Sequence, residues 1–87
     1  MRLRRDEIKI GHWWAPCCIY DLERVETEDD LEDARSYEPF FGAWSTFEEA
    51  IADLLHFRAY SRESDRQDDI AYAVETWGPS VLTVVNP

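Results

Sequence analysis

One junction constrains this chain more than any other: Ser45-Thr46-Phe47-Glu48-Glu49, followed by an apolar stripe. Ser45 with Glu48, or Thr46 with Glu49, forms a capping box, in which side chains satisfy backbone N–H groups that a first helical turn leaves without partners. Acidic residues there also suit the positive end of the helix dipole. Phe47, Ala50, Ile51, Leu54 and Arg58 then recur at helical offsets, and Leu55 widens the stripe. Such a helix has one apolar face and must bury it against another layer.

The rest of the chain offers that layer. A second helix is expected from about Ser64 to Trp77, with Ile70, Ala73, Val74 and Trp77 on its apolar face. Gly78 can adopt the left-handed conformation past its end, and Pro79 stops continuation. Strand patterns appear at Glu7–Ile10, which alternates polar and apolar, and at Cys17–Val25. Tyr37–Phe41 reads as an edge strand because Pro39 lacks an N–H, with Gly42 ending it. Ser80–Val85 is β-branched and apolar on both sides, and reads as a central strand. The segment Glu26–Arg35 reads as a loop or a short exposed helical turn. The expectation is a single α+β domain over residues 1–87, with a small antiparallel sheet of three or four strands packed on two helices.

Charge is the second constraint. The formal net charge is −10, from 9 basic and 19 acidic residues. Residues 21–38 alone hold nine acids and two arginines. Such an excess argues against direct binding to a nucleic-acid backbone, which needs a basic face. The acidic run has a bland reading, a solvated segment that keeps the protein soluble. Its sharper reading is a negative surface that meets a positive one, since opposed fields raise association rates and set register. Closely spaced carboxylates can imitate phosphates, which lie at one charge per ~1.7 Å of duplex axis. The candidate partner-binding residues are Glu26, Glu28, Asp29, Asp30, Glu32 and Asp33. Trp13 joins them: Trp13 and Trp14 are adjacent, so on an extended chain one faces inward and the other is at least partly exposed. An exposed Trp is a natural interface anchor. Trp44 and Trp77 are expected in the core.

Chemistry finds little to hold. There is no G-x-S-x-G, P-loop, H-E-x-x-H or G-x-G-x-x-G, and glycine occurs only at 11, 42 and 78. No enzymatic activity and no cofactor are expected. Cys17 and Cys18 are neighbours on a segment read as extended, where side chains alternate, so a mutual bond is disfavoured. The expectation is one buried and one half-buried thiol in a reducing cytoplasm. His12 with the two cysteines lacks the usual zinc-ligand spacing, so no metal site is expected. A cysteine nucleophile with His56 as base has no local motif behind it. Arg58, Arg62 and Arg66 recur every four residues and read as surface ion-pair partners or as a small basic patch. No apolar run approaches a membrane span, and the first residues lack the apolar core of a secretory leader.

In overall profile, the chain resembles the small acidic inhibitors that phages and mobile elements deploy, including anti-CRISPR and anti-restriction proteins. The features that carry the resemblance are short length, net charge −10, the acidic stretch Asp21–Glu38 and the lack of a catalytic motif. It is a likeness of profile, so no functional residue is carried over from it. It implies a cytoplasmic, non-enzymatic inhibitor whose acidic surface blocks a positively charged nucleic-acid-binding site of a host defence complex such as CRISPR–Cas. The alternatives are an immunity protein or antitoxin against a basic nuclease toxin, and a structural module whose acidity serves solubility. The expected partner is a protein with a basic nucleic-acid-binding surface, with no direct nucleic acid and no membrane; monomer and dimer stay open.

Overall fold

The computed structural model describes residues 1–57 and 62–86. Three short strands form the sheet: β1 (Trp13–Ala15), β2 (Glu23–Arg24) and β3 (Gly42–Trp44), in the order β2-β1-β3, all antiparallel. Among the described residues four α-helices accompany it: α1 (Glu28–Ser36), α2 (Phe47–Ala52), α3 (Glu63–Trp77) and α4 (Val81–Val85). The class is α+β, as expected.

Register places the aromatic residues. Trp13 pairs with Arg24 and Trp44, Trp14 with Glu23 and Ala43, and Ala15 with Gly42. Alternation along the strands then sends Trp13, Ala15 and Trp44 to one face and Trp14 and Ala43 to the other. The first face meets Ile19, Leu22 and the apolar sides of α2, α3 and α4. The second packs on Ile8, Val25 and Ala34, with Leu3, Leu31 and Phe40 at its margin. The sheet is therefore covered on both faces, where the sequence reading covered only one. Trp14 explains this: its large ring would be left in water without α1 and the N-terminal segment over it.

The predicted helices are present. Thr46 caps α2, its hydroxyl accepting from the Glu49 N–H at 3.2 Å. Ala50, Ile51, Leu54 and Leu55 are fully buried, so the predicted stripe faces the core. Beyond Ala52 the chain continues as one π turn, Asp53–Phe57. Arg58, the last member of the stripe, lies outside the described residues. Helix α3 ends at Gly78, whose φ of 99° is open to glycine alone at little cost.

The strand readings need correction. Ser80–Val85 is not a central strand but forms the cap and body of α4. Short apolar runs are ambiguous by periodicity, and here burial follows i, i+4: Val81 and Val85 are buried while Leu82 is 43% exposed. Turn bonds from Val81, Leu82 and Thr83 back to Gly78, Pro79 and Ser80 start the helix at once. The sheet edge beside β3 is meanwhile occupied by Leu3, which bridges Ala43. Glu7–Ile10 is no strand either: a 3₁₀ turn spans Arg5–Glu7, Ile8 is buried and Ile10 exposed. In Cys17–Val25 only Glu23–Arg24 is strand, preceded by a 3₁₀ turn at Ile19–Asp21. The edge strand expected at Tyr37–Phe41 begins instead at Gly42. The acidic segment is neither loop nor single turn but the nine-residue helix α1.

Trp44 is fully buried and donates its indole N–H to Asp53. Trp77 is only partly buried, packing on Phe47 and Tyr72. Among the described residues no helix is long and apolar enough to cross a membrane.

Candidate acidic interface

Helix α1 owes its start to a capping box formed by Thr27 and Asp30. The Thr27 hydroxyl accepts from the Asp30 N–H at 3.1 Å, and the Asp30 carboxylate accepts from Thr27 N–H at 3.1 Å and Glu26 N–H at 3.0 Å. Those backbone donors, Glu26 first, hold the Asp30 carboxyl below its ordinary value. The spacing Thr27-x-x-Asp30 is the same signature that marks α2, so this helix was open to discovery in the sequence.

The helix turns Ala34 inward and Leu31 to the margin of the core. At 100° per residue, Glu28, Glu32, Asp29 and Asp33 then share an outward arc of about 140°. All four are exposed. Among the described residues none of the five carboxylates of α1 forms an ion pair; the neighbouring pairs are Arg24–Glu26 and Arg5–Glu38. Arg35, the one cation of the helix, sends its guanidinium to the Ile8 carbonyl at 2.7 Å. Glu28/Glu32 and Asp29/Asp33 are like-charge i, i+4 pairs, each costing a helix about 0.2–0.5 kcal/mol.

Beside α1 lies an open cleft of about 400 Å³, lined by Trp14, Pro16, Tyr20, Asp21, Glu23, Asp30, Asp33 and Tyr37. Its lining combines three aromatic rings with four carboxylates. Tyr37 meets Trp14 edge-on at 5.6 Å between ring centroids. The Tyr20 hydroxyl is held by Asp69, which raises its pKa, and its ring lies 4.3 Å from that of Tyr72.

The predicted residues divide. Glu28, Asp29, Glu32 and Asp33 come together on one face. Asp30 is half-buried and occupied as a cap, and Glu26 sits just before the helix, close to Arg24. Trp13 is not among them: it lies on the opposite face of the sheet, edge-on to Phe47 at 5.1 Å. Asp21, Glu23, Tyr20 and Tyr37 complete the acidic side and were not singled out by the sequence, because strand and helix bring them together only through the sheet register.

The other candidates are placed as follows. Arg62 pairs with Asp65 at 3.0 Å and Arg66 with Glu63 at 3.5 Å, as expected of surface ion pairs; Arg66 also donates to the Leu55 carbonyl at 2.8 Å, and Arg58 lies outside the described residues. His12 accepts the Lys9 N–H at its Nδ1, and His56 Nε2 contacts the Val84 carbonyl oxygen. Cys17 is exposed and Cys18 half-buried, which corrects the expectation of one buried thiol.

Fold and site together describe an α+β protein with a helical acidic face beside an aromatic cleft. Comparison with protein-family models, curated proteins and solved structures finds no match.

Proposed function

We propose that this chain is a non-enzymatic, cytoplasmic binding protein that lays the acidic face of α1 on the basic nucleic-acid-binding surface of a partner protein. The observation that carries the reading is the outward set Glu28, Asp29, Glu32 and Asp33, free of intramolecular cations among the described residues. On a helix rising 1.5 Å per residue, these four charges lie within about 7.5 Å of axis, a density near the ~1.7 Å per charge of duplex DNA. Arginine and lysine positions that hold phosphates on the partner would accept carboxylates instead. The cleft extends the face, since rings and carboxylates together suit an arginine side chain. The resemblance to phage-type inhibitors directs the search to host defence complexes such as CRISPR–Cas.

Affinity capture from a host lysate at two salt concentrations, with wild type and a Glu28→Gln, Asp29→Asn, Glu32→Gln, Asp33→Asn variant, tests the reading. Exposed charges are screened beyond about 8–10 Å at ordinary ionic strength, so capture should fall as salt rises. A nucleic-acid-binding complex captured by wild type and lost by the variant supports the proposal. A basic nuclease toxin captured in its place would turn the same face to immunity. Capture that ignores both salt and the four substitutions refutes it.

A further inference from the structure

The two adjacent cysteines point to a second site, which borders the acidic face at Asp21. Strand β1 ends at Ala15, Pro16 bends the chain, and Cys18 stands as the extended residue before the 3₁₀ turn Ile19–Asp21. The Asp21 N–H bonds the Cys18 carbonyl at 3.1 Å. The Cys18 thiol donates to the Asp21 carboxylate, so the two side chains meet on the same side of the turn. The bend brings Cys17 there too, against the alternation an extended chain would impose. The sulfur atoms of Cys17 and Cys18 and a carboxylate oxygen of Asp21 all lie within 4.8 Å of one another.

We infer that Cys17, Cys18 and Asp21 form a binding site for a thiophilic divalent cation of the zinc class. A tetrahedral zinc ion, with metal–sulfur bonds near 2.3 Å and metal–oxygen near 2.1 Å, needs S···S edges of about 3.8 Å and S···O edges of about 3.6 Å. Cys18 Sγ already stands 3.7 Å from Asp21 Oδ2. Cys17 is exposed, so its side chain can close the remaining gap by rotation. Two thiolates select zinc over magnesium or calcium, which prefer oxygen. Binding replaces two S–H protons, released to solvent, by two metal–sulfur bonds. Asp21 also lines the cleft, whose open side leaves the fourth position to water. The rule of C-x2–4-C spacing misses such a site because the 3₁₀ turn, not a knuckle, supplies the convergence.

The test is titration of the reduced full chain with zinc(II) by calorimetry and with cobalt(II) by absorption. One equivalent should bind, with a thiolate-to-cobalt charge-transfer band in the near ultraviolet. Asp21→Asn should weaken binding about tenfold or more. Cys17→Ser with Cys18→Ser should remove both the band and saturable binding, while circular dichroism stays as in wild type. Asp21→Asn and a single Cys17→Ser give a second reading should the double variant unfold. No saturable binding at micromolar metal overturns the inference. Binding without the thiolate band, or binding that survives both serines, overturns it equally.

Discussion

Helix α1 carries the acidic face, and its nine residues are shorter than the ~12–15 that an isolated helix needs in water. Its like-charge pairs weaken it further, so it depends on its cap and on the contact of Ala34 and Leu31 with the core. Replacing Thr27 by Ala removes the acceptor of the Asp30 N–H at 3.1 Å and leaves the reciprocal half of the box. Loss of such a cap costs about 1 kcal/mol, within roughly 0.5–2. For a domain near this size, that lowers Tm by about 4–8 °C. Amide exchange at Asp30, Leu31 and Glu32 should rise more than exchange in α2 or α3, because the loss is local before it is global. Thr27→Ser should restore both readings. The other half of the box has a pH signature. The folded Asp30 carboxyl is depressed below 3.8, so its contribution is present above that value and is lost as pH falls through the lower folded value. Asp30→Asn should therefore flatten that part of the acid limb of the stability profile. A Thr27→Ala protein that melts and exchanges as wild type does would show that packing alone holds α1, and the argument from its cap would fail.

Three further outcomes follow from the same geometry. Leu54→Ala should cost about 2–5 kcal/mol, because the side chain is fully buried among Trp44, Ile51 and Ala73; chemical denaturation measures it, and an unchanged midpoint would contradict the packing. Val85→Asp should destabilise strongly while Thr83→Asp stays within about 0.5 kcal/mol, since the helix buries the first and exposes the second. In a strand, residues 81, 83 and 85 would share one face, so equal losses at 83 and 85 would refute α4. The four-carboxylate variant of α1 should keep Tm within a few degrees of wild type. Relief of the i, i+4 repulsions, about 0.2–0.5 kcal/mol each, offsets the lost attraction of Glu28 and Asp29 to the helix dipole.

Signals confined to a few residues were legible in the chain. Thr46 with Glu49, the stripe through Leu55 and the stop at Gly78-Pro79 each rest on contacts within one or two helical turns. The α+β class followed from them together with strand patterns whose positions the structure largely shifts. Thr27 with Asp30 was equally local, but the surrounding acidity made the segment read as a loop or a short exposed helical turn, although acidic residues in a first turn favour a helix. Ser80–Val85 went the other way because β-branched composition suits a strand, whereas packing on α2 and α3 rewards a face repeating every four residues.

The sequence by itself determined the helical stripes, the caps, the net charge of −10 and the concentration of acids between Asp21 and Glu38. Each is a property of composition or of neighbours along the chain. Tertiary structure alone decided which strands pair, and so that Trp13 and Trp14 serve opposite faces. It also decided that the acids of α1 stand outward beside Tyr20 and Tyr37, and that two thiols and a carboxylate meet at one turn. Those placements depend on sheet register and on the bend after Pro16, which set directions in space that no periodicity records.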